Sequence, residues 1–180
     1  MQRKRADTAW TIEIGIFKRY LKESNEKMLR KCFDNDWEYM KDVAKKYKKS
    51  EEKDVKEEMY RVWKQIKDLY RDQAGYNPNG TTFCINQTQL ELCMTSILNM
   101  LDEEETDYLH TSKAGIISAS VRVPKVKSEY ICQNEVVRFQ FLEYLLRCSI
   151  KKYFESGKVE SELDAVQMFI DEHIHKYIDN

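Results

Sequence analysis

VVRFQFLEYLLRCSIKKY, residues 136–153, decides the fold. Val137, Phe141, Leu145 and Cys148 recur at helical spacing and so share one face of an α-helix. Phe139, Leu142, Leu146 and Ile150 widen that face until little polar surface remains in mid-segment. Arg138, Glu143, Arg147 and the Lys151-Lys152 pair leave only narrow strips for water. A helix apolar over most of its circumference has to be covered by other helices. The stretch therefore reads as the central helix of a helical core.

Outward from it, the chain supplies the covering helices. Apolar residues from Trp10 to Leu29 repeat every three to four positions, and Asp34-Asn35-Asp36 reads as a break that caps a new helix over about 36–48. Val55, Met59, Val62, Trp63, Ile66, Leu69 and Tyr70 form the stripe of a third helix, about 51–73. AGYNPNGTT (74–82) is the strongest turn signal in the chain. Phe83-Cys84-Ile85 can make one strand-like bridge, after which Asn86 or Thr88 caps a helix carrying Leu90, Cys93 and Leu98. Asp102–Asp107 is an acidic cluster, and residues 115–123 fit a short helix or an extended segment equally. Asn134 is a candidate cap for the central helix. Beyond Gly157, residues 159–178 give a last helix.

Composition agrees with helices. The chain has 180 residues, 42% apolar and 34% charged, with five glycines and two prolines; all-β folds need more turn residues than that. Thirty basic and thirty-one acidic side chains leave a net charge of −1, which provides no global attraction for nucleic acid. The charge is uneven: residues 1–75 hold twenty Lys/Arg against fifteen Asp/Glu, and the remainder is acidic. The expected organisation is a basic N-terminal helical region, 1–73, and an acidic region, 74–180. The five cysteines include no CxxC pair, no apolar run follows the MQRKR start, and no segment reaches the ~20 apolar residues that span a bilayer. A cytoplasmic chain with free thiols and no membrane segment is expected.

Little chemistry is visible. A twelve-residue calcium loop needs oxygen ligands at positions 1, 3 and 5, glycine at 6 and a bidentate Glu at 12. With Gly80 at position 6, Gly75, Asn77 and Asn79 take positions 1, 3 and 5 and Asn86 takes 12, a set with no charge. DEEETDYLHTSK (102–113) has the charge but lacks the central glycine and ends on Lys113. If calcium bound at all, Asn77, Asn79, Asp102 and Glu104 would be its ligands; the expectation is no cofactor. His173 and His175 lie two apart, roughly 200° around a helix, and cannot ligate one metal together. Asp171 and Glu172 beside them read as an exposed face. No phosphate-binding glycine loop and no nucleophile motif occurs, so no catalytic residue is assigned.

RFQFLEYLLRCSIKKY (138–153), followed by Leu163-Asp164-Ala165-Val166 and Asp171-Glu172-His173-Ile174, resembles EF-hand-like regions of ciliary and flagellar proteins. IKDLYRDQAGYNPNGTTFCINQTQLELCM (66–94) is similar to the first, degenerate helix–loop–helix of such modules. The likeness covers about residues 60–178 and leaves 1–59 outside. It implies EF-hand-like helix–loop–helix pairs in the C-terminal half and a calcium-free or weakly calcium-responsive scaffold in a microtubule-based assembly of the cilium or cytoskeleton. No ligand of the family carries over, since the matching positions here are not calcium ligands.

The expectation is thus an all-α, non-enzymatic protein-interaction module in which packing, not an ion, orders the loops. Phe139, Phe141, Leu145, Met168 and Phe169 are candidate residues of a partner-binding groove, although core burial is the commoner fate of such side chains. The alternative is a calcium sensor using the acidic loop together with the Asn-rich one. A third reading, nucleic-acid binding through the basic half, would be steeply salt-dependent.

Overall fold

The computed structural model describes residues 25–40, 49–76, 84–99 and 135–179. Helix makes up most of them, in six elements, and no strand occurs among the described residues. They are α1 (Asn25–Tyr39), α2 (Lys49–Arg61), α3 (Trp63–Gly75), α4 (Gln87–Leu92), α5 (Arg138–Ser149) and α6 (Glu162–Phe169). The last three run on into wider turns, Cys93–Ile97 after α4, Ile150–Glu155 after α5 and Ile170–Ile174 after α6; His175–Asp179 then returns to α-helix.

The central helix is where its sequence places it. Every residue from Phe141 to Leu146 is buried, and α1, α3 and α6 all pack against α5. Glu143 is a correction. It does not lie on a strip for water but is 5% exposed, with its carboxylate taken by Arg147 one turn on. A covered helix has no wet face, so its acid is retained only with a charge-assisted partner.

One apolar core runs from Phe33 of α1 to Ile174 beyond α6. The stripe of 55–70 is buried as its spacing predicts, yet the helix is interrupted at Val62, where φ is −106° and ψ 7°. That bend lets α2 lie against α6 while α3 lies against α5. Phe33 stands within 5.6 Å of Trp37 and of Trp63, ring centroid to centroid, and 5.3 Å from Tyr60. These rings join α1 to the α2–α3 bend.

Asp34-Asn35-Asp36 is not a break. α1 continues through it because both acids have partners: Asp34 takes Arg30 and Lys56, and Asp36 is buried against Arg138. An Asp whose carboxylate is already satisfied has no need to cap a new helix. The sequence suggests three further helix starts. Asn86, not Thr88, caps α4, and its carboxamide oxygen accepts from Gln89 N–H at 2.9 Å. α5 begins at Arg138, and Asn134 lies outside the described residues. α6 begins later than 159, at Glu162, because Ser161 Oγ accepts from Asp164 N–H. Gly157 turns the chain between α5 and α6 with φ +74°, the left-handed conformation that glycine adopts without strain.

Candidate functional site

Besides the Asp36–Arg138 pair, two arrangements join polar groups on either side of α4 to distant parts of the chain. In the first, Ile85 and Val136 form an isolated antiparallel bridge, exchanging N–H···O=C bonds of 2.9 and 2.8 Å. Each bridge residue stands two positions before a helix. Each is also followed, four residues on, by a glutamine that turns back. Gln89 Oε1 accepts from Asn86 N–H at 3.2 Å, and Gln140 Oε1 accepts from Val137 N–H at 2.8 Å. The first helix start completes a reciprocal capping box; the second lacks one half, since Val137 has no side-chain acceptor. Tyr70 locks the pair from α3 by donating its hydroxyl to the Val136 carbonyl at 3.2 Å. Burial raises the pKa of that phenol, so it stays a donor at every physiological pH.

The second arrangement lies where the three wide turns converge. An i→i+5 bond from Leu98 N–H to the Cys93 carbonyl closes the first, and His175 N–H to the Ile170 carbonyl closes the third. Single wide turns of this kind re-aim side chains and recur at functional sites. Here they bring together Leu98, Tyr153 and His173. His173 Nδ1 lies 2.8 Å from the Leu98 carbonyl, and its Nε2 lies 2.6 Å from Tyr153 Oη. Tyr153 Oη is also 2.7 Å from Glu172 Oε2. The imidazole is buried, with the Phe169 and Tyr153 rings beside it, and Glu172 is exposed. Burial lowers the His173 pKa below its ordinary value; the Leu98 carbonyl and Glu172 oppose this, while Lys152 and Lys176 add to it.

No known protein family, curated protein or solved structure matches the chain. The geometry alone therefore assigns roles. Of the groove candidates, Phe141, Leu145 and Phe169 are fully buried in the core. Met168 packs at its edge, and Phe139 is half-buried under Tyr39, ring centroids 5.1 Å apart, with Tyr39 itself 51% exposed. Asn77, Asn79, Asp102 and Glu104 lie outside the described residues. Among the described residues no group of three or more His, Cys, Asp or Glu is placed to hold a metal ion.

The sequence weighs His173 only as a metal ligand, and its place in this cluster is not visible there. His173 and His175 do diverge: His175 is exposed and paired with Asp171 at 3.2 Å, whereas His173 faces inward. The available signal was position, because His173 follows Val166, Phe169 and Ile170 on the apolar stripe. Its partners were out of reach of any local pattern, Leu98 being 75 residues away.

Proposed function

We propose that this chain is a non-catalytic protein-interaction module, EF-hand-like in its C-terminal half, in which backbone pairing and helix caps hold the loops without an ion. The observation that carries this reading is the matched pair at Ile85 and Val136. A bound cation orders a loop by collecting oxygens from it. Here the side-chain oxygens at the helix starts, those of Asn86, Gln89 and Gln140, are engaged with backbone N–H groups instead. These are neutral carboxamides, and without charge they compensate poorly for dehydrating a hard cation.

The partner surface on this reading is the edge of the core where Tyr39 lies on Phe139, with Met168 as a further contact. The resemblance of 138–153 to axonemal modules directs the search for a partner to cytoskeletal proteins. Calorimetric titration with calcium is expected to give no heat at sub-millimolar ion. Retention of tubulin or axonemal extract proteins is expected to be insensitive to chelator and weakened by Phe139→Ala. A saturable calcium signal, or retention only in its presence, would replace this reading with the calcium-sensor one.

A further inference from the structure

Three short contacts in series need three protons. The Leu98 carbonyl can only accept, so His173 Nδ1 carries the first. The Nε2–Oη contact and the Oη–Oε2 contact each need another. A neutral imidazole and a phenol bring only two between them, and an ionised Glu172 brings none. The three contacts are satisfied together when one more proton is present, as imidazolium donating to phenol and phenol donating to carboxylate.

We propose that His173, Tyr153 and Glu172 form a proton-sensing relay at the junction of α4, α5 and α6. Without the extra proton, Nδ1–H donates to Leu98 and the Tyr153 hydroxyl donates to the bare Nε2. The Glu172 carboxylate then faces a hydroxyl oxygen with no hydrogen between them and turns to water, which its exposed position allows. Proton uptake from solvent at Nε2 makes that nitrogen a donor. The Tyr153 hydroxyl rotates, its O–H bond intact, and donates to Glu172. One carboxylate is thereby drawn onto the junction by acidification and released by its reversal.

The groups facing the imidazole set how readily it charges. Glu172, the residue before it, and the Leu98 carbonyl just past the wide turn that follows α4 favour the imidazolium. Lys176 one turn along and Lys152 beside Tyr153 oppose it. Lys158 Nζ stands 5.7 Å from the Tyr153 ring centroid. Asp68 and Asp72 of α3 act on Tyr177, a turn further along. The relay also sits where the chain leaves α4, for Leu98 is followed by Asn99 with φ +47°. His173 thus holds the carbonyl just before that left-handed residue at both protonation states, and only the carboxylate arm moves.

The test is a pH titration of the His173 ring by nitrogen-15 NMR on the full chain, in wild type, Glu172→Gln, Tyr153→Phe and the double variant. The wild-type ring is expected in the Nδ1–H form at high pH. Glu172→Gln should lower the midpoint by about half a unit or more, through loss of the relayed charge. In the Tyr153→Phe background the same change should have less than half that effect, because the connecting hydroxyl is gone. An Nε2–H form at high pH, an unmoved midpoint in Glu172→Gln, or an equal shift with and without the hydroxyl would each overturn the relay. Should Tyr153→Phe fail to fold, the ring tautomer and the Glu172→Gln midpoint decide it alone.

Discussion

Asp36 and Arg138 are 102 residues apart in sequence and joined at 2.7 and 3.1 Å by two parallel hydrogen bonds. Arg138 is the first residue of the central helix, and its guanidinium also lies over the Trp63 ring, 5.4 Å from the centroid. One side chain thus ties α1, α3 and α5 together. The pairing with Asp36 raises the arginine's pKa despite the opposing effect of burial. Asp36 is 4% exposed, so removing either partner strands a charge.

Asp36→Ala is expected to destabilise the fold by about 2–3 kcal/mol, toward the low end for a buried pair because Arg138 is partly solvated. Arg138→Lys should cost nearly as much, since an ammonium neither forks onto the carboxylate nor stacks on the indole. Urea unfolding of both single variants and the double variant measures the coupling; additive effects would show that the pair does not act as a unit.

Phe141→Ala should cost about 3–5 kcal/mol, as for other fully buried aromatic residues. Phe139→Ala, at the core's edge, should cost no more than about 1 kcal/mol. Thermal unfolding separates the two. The contrast makes Phe139, and not Phe141, Leu145 or Phe169, the residue with which to test partner binding without unfolding the protein.

The glutamine caps predict a symmetrical result. Gln89→Ala and Gln140→Ala should each cost about 0.5–1 kcal/mol, and Gln→Glu at either position should retain the cap. Hydrogen exchange at Asn86 and Val137 reports the loss directly: each amide should exchange faster only in its own alanine variant.

His173 makes stability depend on pH. Its folded-state pKa lies below the unfolded value of about 6.5. The unfolded chain therefore binds the proton more readily, and stability falls as pH drops through and below that value. Unfolding midpoints at pH 7.5 and pH 5.5 should differ in that direction. His173→Gln should reduce the difference; an unchanged difference would show that another group is responsible.

Thiol reactivity should divide by burial. Of the four described cysteines, Cys32 is exposed and Cys84, Cys93 and Cys148 are buried. Burial pushes the Cys93 thiol up to about 12, leaving almost no thiolate at neutral pH. Alkylation of the native protein at pH 7.5, read by peptide mapping, should label Cys32 well before those three. Labelling of Cys93 at a comparable rate would mean that the core opens there.

What the sequence determined by itself is the set of features that a short stretch can encode. Apolar residues spaced by three and four define the faces of 55–70 and 138–148, because burying them drives helix packing wherever the helices come from. A cap at Asn86 or Thr88 and a bridge at Ile85 were legible for the same reason, the one from side-chain chemistry and the other from a brief apolar run after a turn; the structure chose Asn86. Tertiary structure alone decided what the polar residues do. Asp36 reads as a cap, Glu143 as a wet strip and His173 only as a histidine that cannot share a metal with His175 until Arg138, Arg147, Tyr153 and Leu98 are placed around them. Except for Glu143 and its neighbour one turn away, those partners are 20 to 102 residues distant. A periodic pattern records which face is dry, but not which distant group will meet a charge there, and burial makes that meeting obligatory.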